Sequence, residues 1–125
     1  MAAVLESKVH NREIKRLQVW IADLGKGKGS EQGGIRPVVV TSNDKGNYYS
    51  PVVSVVPVTT KPKKTLPTHV KLNAIEFGLN EDSTLLFEQK KSIDKSRLMY
   101  KVAELPDYIL PLIRKATLAE SGFDV

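Results

Sequence analysis

The sequence predicts a mainly β, α+β domain: a small, strongly bent antiparallel sheet or partly open barrel, closed by one C-terminal α-helix. Three observations carry that expectation. Six or so short runs rich in Val, Ile and Thr alternate with clusters of turn residues. Near the C-terminus the apolar period changes, with Ile109, Leu112, Ile113, Ala116 and Ala119 at helical spacing. The 125 residues, 41% of them hydrophobic, suffice for one core but not two.

Taken in order, residues 1 to about 15 are polar and charged, and read as an N-terminal arm that is poorly ordered or a short helix; the domain proper spans 16–120. Leu17 to Ala22 is the first strand, with Leu17, Val19 and Ile21 on one face and Trp20 on the other. A glycine-rich loop from Gly25 to Gly34 follows. Ile35 to Ser42 is the second strand, and its unbroken Val38-Val39-Val40 requires burial on both faces. Asn43 to Asn47 reads as a turn. Val52 to Thr59 is a third strand, in which Pro57 calls for an edge or a bulge. Thr68 to Leu72 and Asp82 to Gln89 are shorter strands, Ile93 to Arg97 a tight or helical turn, and Leu98 to Ala103 the last strand. In the closing helix Asp107 is the expected N-cap, Pro111 falls in the first turn, and Ser121-Gly122 ends it.

Composition narrows the function classes. Nineteen Lys and Arg against 14 Asp and Glu give a formal charge of +5, which permits a polyanionic partner without requiring one. The absence of cysteine excludes disulfides, thiolate metal sites and a Cys nucleophile, and suits a reducing cytoplasm. The two histidines lack metal-ligand spacing, so no metal and no cofactor are expected. No secretory signal and no membrane-length apolar stretch is visible.

The distinctive stretch is Gly29-Ser30-Glu31-Gln32-Gly33-Gly34-Ile35-Arg36-Pro37-Val38-Val39-Val40. Glycines free the backbone before the arginine; proline and branched residues stiffen it afterwards. Such an arginine is aimed by a strand and overlooked by a mobile loop. Lys26 and Lys28, spaced by glycines, do not meet the P-loop pattern and read as loop cations.

This stretch, with Ser42-Asn43-Asp44, Ser50-Pro51, Leu66 to Val70, Glu88-Gln89 and Ile93 to Leu98, resembles the MazF/PemK (Kid) toxins of bacterial toxin–antitoxin systems over roughly residues 16 to 118. The resemblance implies an SH3-like, CcdB/PemK-type barrel acting as a homodimer in the cytoplasm. It implies metal-independent cleavage of single-stranded RNA, usually mRNA at a short sequence, leaving a 2′,3′-cyclic phosphate and a 5′-hydroxyl and halting translation. It also implies a cognate MazE-like antitoxin with an acidic tail. Where family members commonly carry an Arg-Gly-Asp-type segment, this chain has Arg16-Leu17-Gln18.

That chemistry assigns roles. Arg36 suits charge stabilisation at phosphate, because its planar fork stays protonated, which also disqualifies it as a base. Family alignment makes Thr59 the hydrogen-bond donor to the phosphate. Glu31 is the loop carboxylate placed to act as base, its alternative being an ordinary exposed acid. The expected RNA-binding residues are Ser30, Gln32, Tyr48, Tyr49, Lys61, Glu88 and Gln89. Tyr48 and Tyr49 would stack on bases, as could Phe77, whereas Trp20 belongs to core or dimer interface. Glu88 and Gln89 either read a base edge or brace the barrel; Lys61, Lys63 and Lys64 supply general attraction to the backbone. His69 reads as a structural hydrogen bonder and His10 as solvated. Competing function classes are a non-cleaving RNA- or antitoxin-binding barrel and a CcdB-like gyrase poison.

Overall fold

A computed structural model describes residues 13–61 and 64–124. The expected N-terminal arm lies outside the described residues except for its last three, of which Ile14 is buried. Seven strands form one antiparallel system: β1 Gln18–Asp23, β2 Ile35–Val40, β3 Val52–Thr59, β4 His69–Leu72, β5 Ser83–Leu86, β6 Lys91–Asp94 and β7 Leu98–Glu104. Their order is β4-β5-β3-β2-β1-β7, with β6 also paired to β3. The helices are α1 Asp44–Tyr49, α2 Ala74–Phe77 and α3 Leu110–Ser121.

The branched runs do what their sequence demands. Val38, Val39 and Val40 are all fully buried, with Val39 in one apolar cluster and its two neighbours in another. The expectation of a single core therefore needs correction. One cluster joins Leu17, Val19, Val56, Leu85 and Phe87 to Ile109, Ile113 and Ala116 at the start and inner face of α3. The other joins Ile14, Trp20, Ala22, Val53, Val55, Ile93 and Leu98. Strands β1 to β3 feed both, because alternate side chains leave opposite faces and curling gives each face a cover. Register shifts in β1 against β7, on either side of Trp20 and Ile21, increase that curl.

Pro57 is neither at an edge nor in a bulge. It sits buried in β3, opposite Val38 of β2. On the other side of β3 the pairing passes from β6, which ends at Val55–Lys91, to β5, which begins at Val58–Leu85. The residue without an N–H falls in that gap.

Five local expectations change, the first at Ile93 to Arg97, where Ile93 and Asp94 belong to β6 and only Lys95–Arg97 forms a 3₁₀ turn. Asn43 to Asn47 begins helix α1, because the Asn43 side chain accepts from Gly46 N–H at 2.7 Å and acts as N-cap rather than turn former. The strand expected to run to Gln89 stops at Leu86 and turns into a 3₁₀ segment, Phe87–Gln89. Helix α2 was not foreseen, although its Asn73 cap and Gly78 at φ 68° are readable signals. Asp107 opens a 3₁₀ turn after Pro106 rather than capping α3, which begins without a side-chain cap; Gly122 at φ 80° ends it as expected.

The departure at Leu17 has a backbone consequence. Leu17 has φ 78°, left-handed space that glycine occupies without penalty, yet its side chain is buried in the first cluster. Leu17→Ala loses about 2–5 kcal/mol of packing and keeps the strain. Leu17→Gly loses the same packing but relieves roughly 1–2 kcal/mol. Denaturant unfolding is expected to find the glycine variant more stable than the alanine variant by up to about 1 kcal/mol once glycine's greater unfolded-state entropy is counted. The usual order, alanine above glycine, would show that this turn carries no strain.

Candidate active site

The loop between β1 and β2 prolongs their hairpin instead of swinging free. Leu24 N–H donates to Gly34 O at 2.9 Å and Gly34 N–H to Gly25 O at 2.7 Å. Further out, Glu31 N–H donates to Lys28 O at 3.1 Å. Gly27 and Gly33 pack backbone to backbone: a Cβ on Gly33 would lie 2.4 Å from Gly27 N, and one on Gly27 would lie 2.5 Å from Glu31 O. These glycines thus permit close approach, and the loop closes on itself through backbone contacts.

Arg36 lies near the start of β2, paired with Ala22 of β1 and half-buried. Its guanidinium turns back into the loop. Nε–H donates to Gly33 O at 2.8 Å, and Nη1 donates to Gln32 Oε1. The β2–β3 register, whose last pair is Val38–Pro57, carries Arg36 and Thr59 on adjacent strands, each two residues further along. Thr59 is buried, pairs with Thr84 of β5, and its Oγ1 accepts from Lys61 N–H at 3.2 Å, which leaves its own proton free to be donated.

Glu31 and Ser30 are exposed on the loop. With Gln32, Glu88, Gln89, Lys90 and Lys91 they line an open cleft of about 430 Å³. The Gln89 amide spans it: Oε1 accepts from Gln32 N–H at 2.6 Å and Nε2 donates to Ser30 O at 3.2 Å. Glu88 faces the other way. Its carboxylate meets Thr68 Oγ1 at 2.9 Å and His69 Nε2 at 3.1 Å, with the His69 side chain 3% exposed. Partial burial pushes the Glu88 pKa up, but hydrogen bonds from the backbone, His69 and Thr68 outweigh it and hold the group below its ordinary 4.5. His69 is thereby the structural hydrogen bonder its sequence context suggested.

Other expected residues lie elsewhere. Tyr48 and Tyr49 are exposed and in edge contact at 4.7 Å, but on α1, beyond the opposite end of β2 from Arg36. Val40 lies four residue steps along the strand from Arg36, roughly 13 Å, so the tyrosines are not beside the arginine. Lys61 is exposed past the end of β3, lining a separate cleft with Lys71, Glu76, Asp82 and Tyr108. Trp20 is core, its indole N–H donating to Gln18 Oε1 at 2.9 Å. Phe77 packs against the first apolar cluster and Tyr108, and is no free stacking platform. Lys26, Lys28 and Lys64 are exposed; Lys63 and His10 lie outside the described residues. Sequence reasoning missed Arg97, whose Nη1 donates to Asp23 O at 3.4 Å and lies 3.1 Å from where a Cβ on Gly25 would sit. Among the described residues no group of His, Cys, Asp and Glu could hold a metal ion, and no helix is long and apolar enough to cross a membrane.

A curled antiparallel sheet with a C-terminal helix, carrying an arginine held by a glycine loop, defines a PemK/CcdB-like barrel. Residues 15–119 match the family model described as "PemK-like, MazF-like toxin of type II toxin-antitoxin system". The chain is 44% identical over 104 residues to Endoribonuclease EndoA of Bacillus subtilis, covering 82% of this chain and 90% of that protein. It is 46% identical over 95 residues to Endoribonuclease MazF of Staphylococcus saprophyticus, covering 75% and 79%. Among solved structures, a MazE–MazF crystal structure from Deinococcus radiodurans superposes with a TM-score of 0.69 at 27% identity, covering 89% of this chain and 97% of that one. The chain belongs to the PemK-like, MazF-like toxin family.

Two predictions follow from the loop and its support. Gly33→Ala forces backbone apart at Gly27, and is expected to cost about 1–3 kcal/mol in denaturant unfolding. An unchanged midpoint would mean that the loop closes without that contact. For Glu88, a depressed folded pKa gives stability that is present above the unfolded value of 4.5 and lost as pH falls through the folded value. Glu88→Gln should therefore be less stable than the parent near neutrality, and the gap should shrink below pH 4.5. A gap that stays constant through acid titration would contradict it.

Proposed function

We propose that this MazF-like endoribonuclease toxin cleaves single-stranded RNA, mRNA above all, at a short specific sequence without a metal ion, and so inhibits translation. The observation that supports this most directly is the arginine: a permanent cation near the start of β2, oriented by a backbone carbonyl. The nucleophile is the substrate's own 2′-hydroxyl. Its oxygen attacks the adjacent phosphorus while the bond to the 5′-oxygen breaks, giving a 2′,3′-cyclic phosphate and a 5′-hydroxyl. One proton leaves the 2′-oxygen and one reaches the 5′-oxygen.

Arg36 offsets the charge that builds on the phosphoryl oxygens, and remains protonated throughout. Thr59, on the neighbouring strand with its hydroxyl proton uncommitted, donates to the same phosphate. Glu31, an exposed carboxylate on the loop that holds the arginine, accepts the 2′-hydroxyl proton. Ser30, Gln32 and Gln89 border the cleft through which the strand passes, with Lys90 and Lys91 attracting its backbone. The toxin works in the bacterial cytoplasm as a homodimer and is neutralised by a MazE-like antitoxin; the Deinococcus MazF complex with MazE supports the last point.

The test is cleavage of a long, weakly structured RNA in excess EDTA, with Arg36→Ala alongside. Removing one such oxyanion-stabilising donor is expected to lower the rate about 10²–10³-fold or more, with parent products ending in cyclic phosphate. Undiminished cleavage by a folded Arg36→Ala variant would refute the assignment. RNA that is bound but never cut would turn the reading to a binding-only barrel.

A further inference from the structure

We infer that Gln89 is a positioning residue for the reaction, one that holds the Ser30–Gln32 segment so that Arg36 is aimed, rather than a reader of RNA bases. The inference rests on Arg36 acting as the charge stabiliser proposed above. Both ends of the Gln89 amide are already engaged, Oε1 by Gln32 N–H at 2.6 Å and Nε2 by Ser30 O at 3.2 Å. One acceptor and one donor site of the amide are thus spent on the loop, which fixes its plane and its direction. One of the two residues it grips, Gln32, also grips the arginine, and the other arginine acceptor, Gly33, is next to it in the chain. Gln32 presents its Oε1 to the guanidinium, and Gly33, the next residue, presents its carbonyl.

Behind Gln89 the support is rigid. Phe87 is fully buried in the first cluster, and its N–H donates to Thr68 O at 3.0 Å. Glu88 is tied to Thr68 and His69. Lys90 makes an ion pair with Glu120 of α3 at 3.3 Å. The 3₁₀ segment is therefore a fixed post, and the Gln89 side chain is a two-pronged clip from post to loop. The two bonds on Arg36 differ in kind. The Gly33 carbonyl belongs to the fastened backbone, whereas the Gln32 amide oxygen is a side-chain acceptor that a phosphate oxygen can replace on Nη1. Gln89 keeps the first bond in place while the second is exchanged.

The test combines kinetics with a spectroscopic reading on RNA-free protein: hydrogen exchange of the Arg36 Nε–H by ¹⁵N NMR, its signal assigned by its absence in Arg36→Ala. Gln89→Ala should lower kcat about 10- to 100-fold, as expected for misplacement near 1 Å. KM should move less than about threefold, the cut sites should not change, and Nε–H exchange should speed up about tenfold or more as the loop opens locally. Gln89→Glu keeps an acceptor for Gln32 N–H but has no donor for Ser30, and should fall between parent and Gln89→Ala in both readings. Nε–H exchange unchanged in Gln89→Ala overturns the inference, whatever the rate does. A shift in KM and in the cut sequence with unchanged exchange would make Gln89 a base reader. Cleavage surviving in Arg36→Ala refutes the underlying reading separately; faster exchange with parent kcat would leave a clip that the reaction does not use, which also overturns the inference.

Discussion

An arginine keeps its charge at any pH at which this domain would be folded, so its usefulness depends on direction alone. Its long side chain must otherwise be ordered at an entropic cost of up to about 2 kcal/mol. Here Nε is committed to the carbonyl of Gly33 and Nη1 to the Gln32 amide. Those acceptors in turn are useful only if the loop stays where it is. Its fastening comes from three sources: the hairpin bonds at Leu24 and Gly34, the glycine–glycine contact, and the Gln89 clip. The rest of the site is arranged around that dependence.

The sheet explains why such a fastening is possible in so small a domain. Strands β1 to β3 bury side chains on both faces, so the hinge from which Arg36 projects is held from above and below. Pro57 contributes by being buried where pairing on one side of β3 changes hands. A residue with an N–H there would have an orphan donor to satisfy. From the far side α3 packs against β4 and the 3₁₀ segment, so the helix that closes the core also steadies the post carrying Gln89. Core, polar network and loop meet in three consecutive residues, Phe87 in the first cluster, Glu88 bonded to Thr68 and His69, and Gln89 bonded to the loop.

Much of the architecture was legible because it rests on periodicity. The three valines announced a two-faced strand, β3 was readable to its ends, and the switch to helical spacing marked α3. What failed was local and had a common cause. Asn43 and Asn73 both turn and cap, and only the following residues' commitment to helix decides which. Phe87 prolongs the apolar run of Leu85 and Leu86, yet tertiary bonds to Thr68 and to the loop turn Phe87 to Gln89 out of the strand. Of the site, Arg36 was legible from its hinge. The tie between Gln32 of its loop and Gln89, 57 positions on, was not, since such a contact has no local signature.

Leu17 shows how a departure from a family pattern can preserve what the pattern encodes. A glycine at a turn is a conformational instruction, a licence for positive φ, rather than a chemical group. Leucine at φ 78° obeys the same instruction at a cost of roughly 1–2 kcal/mol. It offsets that cost by placing a large apolar side chain in the first cluster, worth about 1.5–3 kcal/mol when fully buried. Its neighbour Gln18 braces the turn, with Oε1 accepting from Lys15 N–H and from the Trp20 indole, both at 2.9 Å. The turn therefore enters β1 with its geometry intact. β1 in turn pairs with β2, which carries Arg36, so the turn at Leu17 stands at the start of the path that places the arginine.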